Sequence, residues 1–164
     1  MKLLLLLISI NFQTGLLAQD FPSQAELSRE ENRQIFQETA QYIQEHPLPS
    51  LEILVYPGNE LIEEASDTYQ TKILVVRATT FEMARDLKYA GYHPLILDMA
   101  NATKPGGGAL EGAAAQEETL CRQSNLYNGL TDAYAKGYYP LPEFGGILIK
   151  NVSFLRDERY TFLH

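Results

Sequence analysis

Two adjacent carboxylates at the start of a predicted helix, Glu117 and Glu118, are of the residue type that general acid and base chemistry requires. Successive residues of an α-helix point about 100° apart, so the two side chains cannot do the same job. One carboxylate can face a pocket while the other braces a ligand hydroxyl or lies along the rim. The alternative is a solvated acidic pair, because any helix N-terminus favours negative charge.

Three consecutive glycines, Gly106 to Gly108, precede this pair and are separated from Gln116 by seven residues. Glycines leave no side chain between the backbone and a ligand, and each can adopt a positive φ. Their successive N–H groups can form a nest for an anion. The segment is neither a P-loop nor a Gly-x-Gly-x-x-Gly dinucleotide motif, since neither pattern is complete. A plain flexible turn is the alternative interpretation.

The histidines and the cysteine predict no metal site. His46, His93 and His164 lie far apart, and no His/Cys group has the spacing of zinc ligands. The single cysteine, Cys121, cannot form an internal disulfide, and we predict a buried small residue rather than a nucleophile. The net charge of −8 disfavours direct DNA or RNA binding along the surface.

A helix and a strand are predicted in the first third of the chain. Ser28 and Glu31 have the pattern of a capping box, and the apolar stripe that follows ends near His46. The β-branched and apolar run from Leu51 to Tyr56 lies between prolines and predicts a strand.

A strand, a helix and a strand follow in the middle of the chain. Lys72 to Arg77 is continuously apolar inside, which predicts a strand covered on both faces. Thr79 and Glu82 predict a second capped helix, which ends at Gly91. Leu95 to Leu97 predicts the next strand. This βαβ pattern predicts an α/β fold with a parallel or mixed sheet and helices on its faces.

The remaining elements are shorter. We predict a helix over Gln116–Ser124 and strands over Gly146–Ile149 and Val152–Leu155. Tyr138 and Tyr139 lie in an aromatic and proline-rich loop, where they either pack on the core or stack on an adenine. Open α/β sheets bind ligands beyond the carboxyl ends of their strands, and the glycines lie just past such an end.

The segment around the glycines resembles the signature of the microbial-type poly(ADP-ribose) glycohydrolases, whose mark is three glycines followed at this spacing by Gln-Glu-Glu. The resemblance covers about residues 28–160 and includes Tyr139-Pro140 and Arg156-Asp157. The matching central segments are Asp98–Gly108, Gly112–Ala113, Ala115–Glu118, Leu120–Arg122 and Ser124–Tyr127.

The resemblance implies a three-layer α/β/α, macrodomain-like fold with a mixed sheet. It implies hydrolysis of the ribose–ribose O-glycosidic bond, with ADP-ribose or poly(ADP-ribose) as the ligand and no metal or redox cofactor. Glu118 would be the general acid and base, Glu117 would hold ribose hydroxyls, and Asn101 would contact the same ribose. The other implied ligand-binding residues are Gly106, Gly107, Gly108 and Gln116. The alternatives are an ADP-ribose-binding module without turnover and a non-functional truncated remnant.

The ends of the chain carry two further expectations. Residues 1–18 have the pattern of a signal peptide, with Lys2 before an apolar run, although an apolar extension is the alternative. A signal peptide would mean secretion or export, and its absence a cytoplasmic protein. Residues 22–164 would be the catalytic domain, the N-terminal portion of the macrodomain-like fold. Family members continue with a second glycine-rich loop, so we expect a sheet incomplete at its C-terminal end and a missing C-terminal half as a partner.

Overall fold

The computed structural model describes residues 27–58 and 73–163, so the predicted signal peptide and Lys72 lie outside the described residues. The chain divides into two compact units. One unit comprises residues 28–65 and 98–164, and the other contains residues 66–97 together with the N-terminal residues. No helix in the described ranges is long and apolar enough to cross a membrane.

Helix α1 spans Arg29–Glu45 and begins with the predicted capping box. The Glu31 amide donates to Ser28 Oγ at 3.2 Å, and the Ser28 amide donates back to the Glu31 carboxylate at 2.7 Å. The helix ends at His46, one residue before a proline that cannot continue the hydrogen-bonding pattern. Both predicted ends are confirmed.

The sheet of the described residues has two antiparallel strands. Strand β1 (Glu52–Tyr56) pairs with β2 (Gly146–Lys150), and Glu52 lies opposite Lys150. Both segments were predicted as strands, and the mixed α/β class is confirmed. The two strands run antiparallel, a pairing that a mixed sheet can contain. Apolar patterning marks a strand but does not specify the direction of its partner.

The second unit contains helix α2, Thr80–Tyr89, which starts at the predicted capping box of Thr79 and Glu82. The segments 73–77 and 95–97 that flank it do not form the predicted strands, and no βαβ unit is present in this part of the described chain. A strand exists only where a neighbouring backbone supplies its ladder of hydrogen bonds. The apolar side chains predicted to be covered are exposed instead, with Ile73 68% accessible.

Helices α3 (Gln116–Gln123) and α4 (Leu126–Ala135) follow a short 3₁₀ turn, Ala109–Glu111. The predicted helix at α3 is confirmed. Its inner face meets α1 in a small apolar core, where Tyr127 packs edge-on against Phe36 with ring centroids 5.0 Å apart. The buried members of this core are Phe36, Ala109, Cys121 and Leu130.

The segment after β2 is tied to α1 by Arg156. Its Nε donates to Thr39 Oγ1 and its Nη2 to the Glu38 carboxylate, both at 2.9 Å, and its guanidinium lies 3.8 Å from the centroid of Phe162. The predicted strand Val152–Leu155 is wrong. The segment makes an isolated bridge from Phe154 to Ser124. Single backbone hydrogen bonds, such as the one from the Leu155 amide to the Gln123 carbonyl at 2.7 Å, hold it without a continuous ladder.

Candidate functional site

Glu117 joins α3 to two loops. Only 3% of the residue is exposed, and each carboxylate oxygen accepts a backbone hydrogen bond. Oε1 accepts from the Gly106 amide at 3.0 Å and Oε2 from the Asn101 amide at 2.9 Å. Burial raises the pKa of Glu117, while the two N–H donors oppose that shift. Glu117 therefore fixes both loops around the start of α3.

Glu118 is held at one oxygen only. Oε1 accepts from the Gly108 amide at 2.8 Å, whereas Oε2 is buried and has no hydrogen-bond partner among the described residues. The residue is 7% exposed. One oxygen thus fixes the orientation of the carboxylate, and the other is available to a reacting group.

The glycine loop lies directly against these carboxylates. Gly107 has a φ of +53°, and a Cβ there would lie 2.4 Å from Glu118 Oε1. A Cβ on Gly106 would lie 2.5 Å from the Tyr127 ring. Glycine is required at both positions because any side chain would displace the carboxylates or the core aromatic ring.

The predicted anion nest is not formed in the glycine loop. The Gly106 and Gly108 amides donate to the two glutamates, and the Gly107 amide donates to the Lys104 carbonyl at 3.0 Å. The carboxylates of α3 occupy the positions that an anion would take. The glycine backbone is therefore a support for the two carboxylates.

Gln116 and Asn101 shape the loop that follows Asp98. Gln116 Oε1 accepts from the Met99 amide at 2.8 Å, two residues before the Asn101 amide held by Glu117. The Asn101 side-chain oxygen accepts from the amides of Thr103 and Lys104, at 3.0 and 2.9 Å. The structure thus brings together all the predicted site residues, from Asn101 through the glycines to Glu118.

Asp98 belongs to the same place but was not predicted as a site residue. Both of its carboxylate oxygens are buried without a partner among the described residues. Burial, with Glu117 and Glu118 nearby, raises the pKa of Asp98 from 3.8 to about 7. We call Asp98, Glu117 and Glu118 the carboxylate cluster. The sequence feature that could have indicated Asp98 is its position at the end of an apolar run. That position alone does not predict burial beside other acidic residues.

Tyr139 brings a hydroxyl to the carboxylate cluster. This hydroxyl is buried and has no partner among the described residues. Burial first, then Glu117 and Asp98, raise the pKa of Tyr139 to about 12. The sequence left core packing and adenine stacking open for this residue, and neither alternative predicted a hydroxyl beside the acids.

Cys121 lies beneath the site, and 1% of it is exposed. Burial raises the pKa of its thiol, so the nucleophilic thiolate is disfavoured and the predicted role of a buried small residue is confirmed. Among residues 27–58 and 73–163, no group of three or more His, Cys, Asp or Glu side chains is arranged to hold a metal ion.

The chain is similar to known proteins over most of its length. Residues 22–144 match the family described as the catalytic domain of microbial-type poly(ADP-ribose) glycohydrolase (PARG). No curated protein is significantly similar to the chain.

Three similar solved structures are forms of the PARG of Thermomonospora curvata. The enzyme itself shares 27% identity over 82% of this chain and 60% of its own, with a TM-score of 0.55. Its complex with the inhibitor ADP-HPD shares 26% identity over 82% of this chain and 58% of its own, with a TM-score of 0.56. A glutamate-to-alanine mutant has the same coverage and identity as the complex and a TM-score of 0.59.

The chain therefore spans about 60% of the length of the solved enzyme it matches. The family match covers most of the chain itself and includes the glycine loop and the carboxylate cluster. This chain belongs to the family of microbial-type poly(ADP-ribose) glycohydrolase catalytic domains.

Proposed function

We propose that the protein is a glycosidase-type hydrolase that cleaves the ribose–ribose O-glycosidic bonds of poly(ADP-ribose). The observation that carries this proposal is the asymmetry of Glu118, whose Oε1 accepts from the Gly108 amide while its buried Oε2 has no partner among the described residues. A carboxyl group fixed by one oxygen can present the other to a glycosidic oxygen. The family match supports the choice of substrate.

Glu118 acts in both halves of the proposed reaction. As a carboxylic acid it gives its proton to the departing ribose oxygen while the C–O bond breaks and an oxocarbenium-like centre develops. As a carboxylate it then removes a proton from the water that attacks this centre. Glu117 holds ribose hydroxyls in this proposal. Its two oxygens accept from the Gly106 and Asn101 amides and retain lone pairs for those hydroxyls.

The proposed ligand is ADP-ribose at the end of the polymer or within it. The T. curvata enzyme has been solved with the inhibitor ADP-HPD, which supports a site for an ADP-containing ligand. In this proposal Asn101 contacts the ribose, Gln116 holds the loop carrying Asn101, and the glycines allow the sugar to approach the backbone. The proposal includes a three-layer, macrodomain-like arrangement and a catalytic domain over residues 22–164, of which residues 22–144 match the family.

The function is tested by incubating the full chain with labelled poly(ADP-ribose) and measuring free ADP-ribose. We expect release by the wild-type chain and by Glu143→Gln, which alters an exposed carboxylate away from the cluster. Binding of ADP-ribose without release would instead identify a recognition module. The absence of both binding and release would refute the proposed function.

A further inference from the structure

The buried side-chain atoms without hydrogen-bond partners in the described chain all lie in one place. They are both carboxylate oxygens of Asp98, Oε2 of Glu118 and the hydroxyl of Tyr139. Asp98 interacts electrostatically with Glu118, and Tyr139 interacts with Asp98. Buried polar groups are nearly always paired, so such a concentration points to a site that a polar ligand completes.

The position of Tyr139 is set by its loop. The Leu141 amide donates to the Ala102 carbonyl at 2.8 Å, which ties this loop to the one shaped by Asn101. The Tyr139 ring lies against Tyr134, with ring centroids 5.9 Å apart. These contacts do not involve the hydroxyl, and phenylalanine could make the ring contact equally well. A buried hydroxyl without a partner lowers stability, so packing alone does not account for it.

The unpartnered atoms are chemically complementary to a sugar hydroxyl. An ionised carboxylate only accepts hydrogen bonds, and a phenol with a pKa of about 12 remains a neutral donor at physiological pH. A hydroxyl group donates one hydrogen bond and accepts others, so it can bridge the two. Asp98 retains an accepting oxygen in either protonation state, and it interacts electrostatically with Tyr139.

We infer that Tyr139 is a ligand-binding residue that donates a hydrogen bond to a hydroxyl of the ribose held by the carboxylate cluster, while that hydroxyl donates to Asp98. The inference rests on the proposed function. It adds a residue that distinguishes ligands that carry a ribose next to the carboxylates from ligands that lack it. Because the adenosine diphosphate portion lacks this sugar, Tyr139 contributes to the affinity for ADP-ribose and not to the affinity for ADP.

The test compares the full wild-type chain with Tyr139→Phe by calorimetry, using ADP-ribose and ADP. The matched control is Tyr138→Phe, because the neighbouring Tyr138 is more exposed and its hydroxyl is not among the unpartnered buried atoms. We expect Tyr139→Phe to bind ADP-ribose about five- to tenfold more weakly, the size of one lost hydrogen bond. We expect its affinity for ADP, and both affinities of the control, to match the wild type.

Release of ADP-ribose from the polymer, measured in parallel, separates this inference from the proposed function. If the wild type cleaves the polymer and Tyr139→Phe binds ADP-ribose as tightly as the wild type does, the inference is overturned and the proposed function stands. Binding of ADP-ribose that weakens in Tyr139→Phe, without polymer cleavage, would support the inference and refute the hydrolase. An equal loss of affinity for ADP would mean a general disturbance of the site, and no wild-type binding or release would overturn both.

Discussion

The backbone of Gly107 lies directly against the proposed catalytic carboxylate of Glu118. Its φ is +53°, and a Cβ would lie 2.4 Å from Glu118 Oε1. We predict that Gly107→Ala displaces the Glu118 carboxylate and reduces ADP-ribose release by at least about tenfold, since small misplacements of a catalytic group are costly. The measurement is polymer turnover together with the melting temperature.

Gly137→Ala is the control for the conformational part of that effect. Gly137 has a φ of +79°, and nothing lies within 4 Å of the added Cβ. It should lose about 1 kcal/mol of stability through left-handed strain alone and keep its turnover. If both variants retained full activity, the close approach of Gly107 to Glu118 would have no functional meaning.

Asp98 makes stability depend on pH. Its pKa is raised from 3.8 to about 7, so the folded state binds this proton more tightly than the unfolded chain does. This contribution to stability is complete below the unfolded pKa and is lost as pH rises through about 7. We predict that the melting temperature falls between about pH 5 and pH 8, and that Asp98→Asn reduces this slope.

The slope is measured by thermal melts across that pH range. Asp86→Asn, which removes an exposed carboxylate, is the control and should keep the wild-type slope. Parallel slopes for the wild type and Asp98→Asn would show that Asp98 is ionised in the folded protein at neutral pH.

At this scale the sequence predicted the acids of α3 but not their neighbours. Glu117, Glu118 and the glycines are adjacent in a recognisable spacing, so their grouping could be predicted. Asp98 and Tyr139 reach the cluster through loops, one held by Gln116 and one by the Leu141 amide. No local pattern encodes those contacts, so their burial could not be predicted.

At the scale of elements, Arg156 links the segment after β2 to α1. It is 4% exposed, and its guanidinium donates to Thr39, Glu38 and the Tyr160 carbonyl. We predict that Arg156→Ala lowers the free energy of unfolding by about 2–4 kcal/mol, because Thr39 loses a buried partner and the packing on Phe162 is lost. Denaturant unfolding followed by circular dichroism measures this change.

Arg159→Ala removes the same type of side chain from an exposed position three residues away. It should change stability by less than about 0.5 kcal/mol. Equal effects of the two substitutions would mean that loss of positive charge, rather than the buried contacts of Arg156, determines stability.

The elements themselves were predictable to different degrees. The starts of α1 and α2 followed from capping boxes, which are local and complete within four residues. Strand formation depends on a partner distant in sequence, so the apolar segment 73–77 was wrongly predicted as a strand while Gly146–Lys150 was correctly predicted. The antiparallel pairing of β1 with β2 joins segments about 90 residues apart, and apolar patterning carries no information about it.

At the scale of the whole molecule, the fold is shared with the T. curvata enzyme at a low level of sequence identity. The similarity covers 82% of this chain at 26–27% identity, with TM-scores from 0.55 to 0.59. The family match includes the glycine loop and the carboxylates, which constrain each other sterically in this chain. With a net charge of −8, the proposed anionic ligand would be recognised in a local site rather than on the general surface.

The most direct test of the account is a parallel measurement of turnover and affinity in Glu118→Gln. The amide keeps the shape of the side chain and an oxygen for the Gly108 N–H, but it cannot carry a proton to the leaving oxygen. We predict that ADP-ribose release from poly(ADP-ribose) falls by at least about 100-fold while the Kd for ADP-ribose changes less than about threefold. Undiminished release by Glu118→Gln would contradict the assignment of Glu118 as the general acid and base.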